Sequence, residues 1–476
     1  MSYIFPNKDI IKLVKESGPH NGILLNKNSD LHKSIFKELD FSYHKSIIKL
    51  SQCSRNLVAD TNGPNVLFLS ETDGGYAKQG LTIINDDNKQ HYSKLNYVDL
   101  MLNEESVADG KLSIFSHEMA HVMMNNILPN VKVGKSSMQH LSVAVTDFNT
   151  AFIEGFAIQF ERFTNNFTPH YANLFNNTNK FNNQIIQLWQ SNTDSINRVN
   201  GVVDNRFINK KINIDSLIIS DNATDYLILE HTYPTFNKLK LKNAQQMLAC
   251  EGVVATLFYR INSNKRLQNN YQDRGFYKNF LIRDLPNEVR IKDIFTPFEN
   301  VILKNLWVMH NMSNNISDEN LMINFINTWV KIFPEDKGEI INIFITTTIG
   351  KTITNELSKI YEQIAYAGMF GDIEKTIVKI KEYRKMLQEL CQQVLDDKVT
   401  LNKNLGKEIW INSTLKVPTC FWQDETQNLN VNINTATANM LRLALNISSE
   451  RALTIVSQRD KKGFFASLKE FESLLK

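Results

Sequence analysis

Cysteine is scarce: Cys53, Cys250, Cys391 and Cys420 are the only four in 476 residues, and no two show C-x-x-C spacing. That excludes a disulfide framework and a cysteine zinc knuckle. The chain also lacks any apolar run of membrane-spanning length, and Met1 to Asp9 contain no basic segment followed by an apolar core. No membrane partner is expected, and the expected location is the cytoplasm, or outside it after export without a classical signal peptide. Strong charge is missing as well, since a net charge of +3 is too small to argue for attraction to nucleic acid or membrane. What remains is ordinary globular composition, 42% hydrophobic and 22% charged, on a chain long enough for more than one domain.

Against that plain background, His117-Glu118-Met119-Ala120-His121 is the stretch that reads as chemistry. Residues four apart on a helix lie one turn above each other on the same face, so His117 and His121 can share one Zn²⁺ at roughly 2.0 to 2.1 Å from each ring nitrogen. Glu118, rotated off that line by about a quarter turn, is placed to take a proton from water beside the metal. It is the expected general base. Asp109-Gly110 can start the helix, and Asn125-Asn126 followed by Pro129 suits its end. Leu112, Ile114, Phe115, Met119, Val122 and Met123 make it apolar on more than one side, which predicts burial.

Such a site needs a third protein ligand. An extended motif with Gly and His three and six residues beyond the second His would fall on Met124 and Ile127, so that version is excluded. The better candidate is Glu154, a lone carboxylate within the apolar stretch Asn149 to Ala157. There it shares a helix face with Ala157, Ile158 and Glu161, while Gly155 would allow a neighbouring helix to approach closely. The alternative is a solvated acid on an amphipathic helix. Glu251, equally embedded in apolar residues but far down the chain, is the main rival. Asp147 is a weaker one that could instead orient a ligating imidazole.

The pair formed by H-E-x-x-H and the downstream Glu154-Gly155-Phe156-Ala157 resembles the gluzincin metallopeptidases, whose aminopeptidase N-like branch has an N-E-G-F-A-type ligand segment. The resemblance covers about residues 110 to 165 and is specific only at the motif positions. It implies zinc as cofactor, His117, His121 and Glu154 as ligands, Glu118 as catalytic acid/base, and a protein or peptide as substrate. The spacing between the motifs is wider than in that branch, and there is no G-x-M-E-N-type segment. An endopeptidase is therefore expected rather than an aminopeptidase.

Upstream, Val66 to Ser70, Gly80 to Asn85 and Tyr97 to Leu102 read as strands of a small sheet. In gluzincins an edge strand beside the metal pairs with the substrate backbone, a role that Gly80 to Ile83 could fill, although an ordinary hairpin is the preferred reading. Tyr226, His231 and Tyr233 are possible donors to a developing oxyanion, with a structural role favoured for each. From about residue 166 to 420 the pattern is mainly helical, interrupted by the Asn-rich stretches at 176–179 and 313–315. Its clearest helix spans Ile373 to Val399, with an apolar stripe suited to packing.

The last segment is a unit of its own, beginning at Leu429 after the irregular, polar stretch Pro418 to Asn428. Val431 to Ala436, Leu441, Ile447, Ala452, Ile455, Arg459, Gly463-Phe464-Phe465, Ser467-Leu468 and Phe471 resemble the helix-hairpin-helix modules of competence DNA-uptake proteins. The resemblance is closer still to the related domain of type II secretion minor pseudopilins. In DNA-binding versions a Gly-x-Gly hairpin exposes backbone N–H groups to a phosphate; here Asn446-Ile447-Ser448 stand at those positions. Asn tolerates the left-handed turn, but the added side chains crowd a phosphate. Arg459, Lys461 and Lys462 supply positive charge that Glu450, Glu470 and Glu472 offset. A protein-interaction or structural module is favoured over one that binds nucleic acid.

The expected fold is α+β and predominantly α. Residues 1–165 would carry the sheet and ligand helices of a zincin-like catalytic domain, 166–420 a helical subdomain completing it, and 429–476 a small all-α helix-hairpin-helix domain. The competing functional class is a noncatalytic adaptor or DNA-associated protein in which the last module carries the function.

Overall fold

In the first hundred residues, apolar side chains at every second position build a sheet that closes on itself. The computed structural model describes residues 2–6, 9–60, 63–71, 74–85, 88–108, 111–132, 134–136, 145–167, 228–231, 236–312, 320–416 and 428–476. The chain divides into two compact units, neither a continuous run: the first comprises Met1–Val131, Phe156–Asn182 and Ile261–Asn315, the second Lys132–Gly155, Asn183–Arg260 and Ile316–Lys476.

In the first unit β1 (Lys12–Gly18), β2 (Asn21–Leu24), β3 (Val66–Leu69), β4 (Tyr76–Asn85) and β5 (Asn88–Leu100) form a closed barrel in the order β1-β2-β4-β5-β3. Val66 and Phe68, Leu81 and Ile83, and Leu95 and Tyr97 turn to one buried cluster with Val14. β3, β4 and β5 are the strands that the sequence announces. β1 and β2 are not announced, because charges interrupt β1 and the four residues of β2 are too few to show a period. Thr82–Ile84 pairs with β2 on one side and β5 on the other, so the stretch considered as a substrate-pairing edge is not an edge there. It is an arm of an antiparallel hairpin.

The helices α1 (Asp30–Leu39), α2 (Ser42–Leu57), α3 (Glu104–Ala108) and α4 (Phe115–Ile127) follow in the same unit. α4 packs against α2 and against the β4–β5 hairpin. Its place is fixed by a chain of amides: Gln79 Nε2 donates to Asn96 Oδ1 (3.3 Å), Asn96 Nδ2 to Asn126 Oδ1 (2.8 Å), and Asn126 Nδ2 to Ser54 Oγ (2.9 Å). Because unpaired buried amides are costly, this chain specifies which turn of α4 faces the barrel.

α5 (Phe148–Phe167) starts in the second unit and ends in the first. It is followed by β6 (Leu229–His231), β7 (Phe236–Leu241), α6 (Ala244–Leu248) and α7 (Glu251–Ser263). α8 (Lys265–Asn269), α9 (Arg274–Lys278), α10 (Ile291–Ile294) and α11 (Pro297–Met312) return to the first unit. There Lys49 of α2 and Glu299 of α11 form a buried ion pair at 2.8 Å.

α12 (Leu321–Ile332), α13 (Lys337–Thr347), α14 (Glu356–Met369) and α15 (Ile373–Leu395) build the helical part of the second unit. α15 buries Ile380, Tyr383, Leu387, Leu390 and Val394, the expected stripe, while Val378 stays exposed. It ends at Leu395, short of Val399, because Asp397 turns left-handed at φ 57°. The chain closes with β8 (Trp410–Lys416), β9 (Asn428–Asn432), α16 (Ala438–Leu445), α17 (Ser449–Lys462) and α18 (Leu468–Ser473). The last module is thus not all-α, since β9 pairs antiparallel with β8 and Ile409 and Ile411 join its core. The architecture is mixed and mostly helical, with small sheets. Among the described residues no helix is long and apolar enough to cross a membrane.

Candidate functional site

α4 is entered through a 3-10 turn, Lys111–Ile114, and the expected start at Asp109-Gly110 lies outside the described residues. As predicted, the helix is buried on several sides: Phe115, Met119, Ala120, Val122, Met123, Met124 and Ile127 are all in the core. His117 and His121 are half-buried on the remaining face, and Glu118 is only 5% exposed. The imidazoles meet edge to face with centroids 4.8 Å apart, and their Nε2 atoms stand 3.1 Å from each other.

Glu154 lies on α5, one continuous helix with the first-unit residues from Phe156 onward. The start of α5 is anchored by an aromatic cluster in which Phe152 meets Phe258 (5.4 Å) and Phe325 (6.0 Å) edge to face. Gly155 allows the close approach foreseen for it. A Cβ there would come within 2.7 Å of Val254 Cγ1 and 2.9 Å of the Ala255 backbone nitrogen on α7. Glu154 is half-buried rather than a solvated acid; the side chain of Glu161 lies outside the described residues.

One ligand atom from each of His117, His121 and Glu154 falls within 4.8 Å of the others. Two nitrogens bound tetrahedrally at about 2.0 to 2.1 Å from one ion would be about 3.3 Å apart, close to the spacing seen, and two imidazoles with one carboxylate are a donor set that zinc accepts. The residues fit the ion. The rivals do not join this cluster among the described residues. Glu251 is buried at the start of α7.

Asp147 caps α5: Oδ1 accepts from the backbone N–H of Asn149 (3.0 Å) and Thr150 (2.9 Å), and Oδ2 from Thr150 Oγ1 (2.9 Å) and Ser136 N–H (3.1 Å). Its suggested role of orienting an imidazole gives way to this one, which the signal Asp-x-x-Thr before an apolar helix could have revealed. Of the possible oxyanion donors, Tyr226 and Tyr233 lie outside the described residues. The backbone of His231 ends β6.

Sequence reasoning missed Glu408. Its carboxylate accepts from the Phe148 backbone N–H at 3.1 Å and from the Trp410 side chain, and burial, with Asp147 nearby, pushes its pKa up to about 8. No periodicity or spacing links it to α5, 260 residues away in the chain.

In the last module Val431, Ile433, Ala436, Leu441, Ala452, Ile455, Val456, Phe465 and Phe471 form one core. Asn446 takes the left-handed conformation (φ 52°, ψ 44°), so the turn between α16 and α17 persists without glycine, as expected. Ser448 caps α17 by accepting from Arg451 N–H at 3.1 Å. Gly463 ends α17 at φ 105°, where a Cβ would lie 2.0 Å from Asn404 Oδ1. Arg459, counted above among the charges open to a phosphate, is instead fully buried. Its Nη1 donates to the carbonyls of Ala436 (2.5 Å) and Ile433 (3.3 Å), and its Nε to Asp460. Lys462 is paired with Glu470.

Comparison with known proteins bears on this module alone. A helix-hairpin-helix motif family matches residues 427–475, so the C-terminal segment is a helix-hairpin-helix module. No curated protein and no solved structure gives a match to the chain.

Proposed function

We propose that the protein is a zinc-dependent metallopeptidase of gluzincin type that cleaves within protein or peptide chains. The observation that carries this reading is the convergence of donor atoms from His117, His121 and Glu154. A zinc ion held there would supply Lewis acidity to polarise water and the scissile carbonyl. Glu118, on the helix that carries the imidazoles and shielded from solvent, takes the proton from the attacking water and returns it to the leaving amine. Burial in a setting poor in water favours such proton exchange over loss to solvent. The test is metal content followed by peptide cleavage. Purified protein should hold stoichiometric zinc that His117→Ala loses, whereas Glu118→Gln should keep zinc and lose cleavage. Wild-type protein without zinc, or cleavage surviving in Glu118→Gln, refutes the assignment.

The matched helix-hairpin-helix motif favours a second reading, in which the module carries function by contacting nucleic acid or protein. The inward Arg459 and the side chains at Asn446-Ile447-Ser448 support a protein-interaction or structural role for it. Duplex DNA titrated at several salt concentrations separates these. A steep loss of affinity with salt would mark phosphate contacts, and no binding at physiological salt would leave the protein role.

A further inference from the structure

α5, the helix of the candidate ligand Glu154, opens with backbone N–H groups that no turn of its own can satisfy. Two carboxyl groups take them. Asp147, adjacent in sequence, accepts from Asn149 and Thr150, and Glu408 accepts from Phe148. Glu408 thereby ties α5 to the segment Lys407–Ile411, whose other side builds the helix-hairpin-helix module. Lys407 O accepts from Asn434 Nδ2 (3.0 Å) and from Gln245 Nε2 (2.8 Å). Ile409 N–H donates to Asn432 Oδ1 (3.2 Å), and Ile409 O accepts from Ile433 N–H (2.9 Å). Ile409 and Ile411 pack on the module core, while the alternate residues Glu408 and Trp410 hydrogen-bond to each other. One short extended segment therefore closes the module with one set of side chains and caps the ligand helix with the other. All these residues, Glu154 included, belong to the second unit.

We propose that Glu408 is a positioning residue through which the helix-hairpin-helix module sets the order of the first turns of α5 and so the placement of Glu154. Glu154 lies six residues beyond Phe148, about 9 Å along the helix, so fraying of the first turns reaches the ligand. A partner that tightens or loosens the module core thus regulates the metal centre. The consequence for metal rests on the peptidase reading above, whereas the coupling of the module to α5 does not.

The experiment compares full-length wild type with Glu408→Leu, Glu408→Gln, Phe471→Ala in the module core, and Ile341→Ala in α13 as a control for general loss of stability. Two readouts are taken: zinc affinity by competition with a chelator, and hydrogen exchange of the Phe148–Glu154 amides in metal-free protein. Glu408→Leu should weaken zinc by about tenfold or more and speed exchange at the start of α5. Glu408→Gln retains an acceptor and should restore both. Phe471→Ala should shift both in the direction of Glu408→Leu, and Ile341→Ala should shift neither. Exchange unchanged in Glu408→Leu, or equally faster in Ile341→Ala, overturns the proposal. If wild type binds no zinc the peptidase reading falls, and the exchange pattern still decides the coupling.

Discussion

The α4/α5 centre and the C-terminal module hold comparable polar residues in opposite ways. In the module, Arg459 turns inward, and its charge is met by the neutral carbonyls of Ile433 and Ala436 and by Asp460, all within the fold. In the candidate centre, the Nε2 atoms of His117 and His121 face each other at 3.1 Å, and a carboxylate oxygen of Glu154 lies within 4.8 Å of a ring nitrogen of each. In the proposed reading a cation joins the first arrangement, whereas in the module the arginine itself supplies the positive charge that two carbonyls and Asp460 accept. The difference teaches that residue type alone does not decide what a motif's side chains do, since the fold decides which groups they are turned toward.

The sharpest way to break this comparison is Glu118→Gln, which keeps the shape of the centre and removes its proposed base. Cleavage should fall by about 10² to 10⁴-fold with zinc content unchanged. Activity within a few-fold of wild type would make Glu118 a bystander and the centre no more a site than the module.

The next effect separates the two units by pH. His44 lies in the first unit, buried, its Nδ1 2.8 Å from Glu38 O and its ring edge-on to Phe115 at the start of α4. Burial lowers its pKa from 6.5 to about 4. Between those values the unfolded chain binds a proton that the folded one refuses, so stability falls as pH drops from 6.5 to 4, by about 3 kcal/mol in all. Glu408 in the second unit has the opposite sign, because its pKa is raised from 4.5 to about 8. Here the folded state keeps a proton that the unfolded one releases, and stability declines as pH rises from 4.5 to 8. Denaturation followed across pH should lose the acid slope in His44→Leu and the alkaline slope in Glu408→Gln. An acid slope that persists in His44→Leu would show that His44 does not cause it.

A smaller effect tests the module's interior. Arg459→Leu leaves the Ile433 and Ala436 carbonyls buried without their donor and should cost about 2 to 3 kcal/mol, while Lys461→Ala, at an exposed position of α17, should stay within about 0.5 kcal/mol. Urea denaturation reads both. Equal costs would mean that Arg459 is not the inward strut that the hydrogen bonds describe.

How far each region could be read from sequence follows from the range of its contacts. That His117 and His121 face each other is legible because one helical turn fixes them, and the left-handed Asn446 because a hairpin is local. Glu154 was legible as a lone acid in an apolar helix, although its distance from α4 in the chain left Glu251 and Asp147 open as rivals. Glu408 was not legible, since its hydrogen bond joins residues 260 apart. Arg459 was misread for a related reason: its position at the end of an otherwise polar helix resembles an exposed basic run, and only the folded module brings the Ile433 and Ala436 carbonyls to it. The barrel was half read, because pairing of β1 with β3 and of β2 with β4 depends on crossovers that alternation does not encode.

The smallest expected effect concerns the hairpin. Asn446 stands at φ 52°, a conformation that glycine adopts without penalty, so Asn446→Gly should stabilise the module by up to about 1 kcal/mol. Ser448→Gly removes the hydroxyl that caps α17 and should cost a few tenths of a kcal/mol, leaving the double variant close to wild type in stability. That double variant restores Gly-x-Gly with the fold intact, so duplex DNA binding in low and physiological salt then isolates the turn from the rest of the module. If neither wild type nor the double variant binds, the difference from DNA-binding modules lies in charge, above all in an arginine committed to the interior. New, salt-sensitive binding would assign it to two side chains at the turn, and the contrast between the two regions would narrow to that one loop.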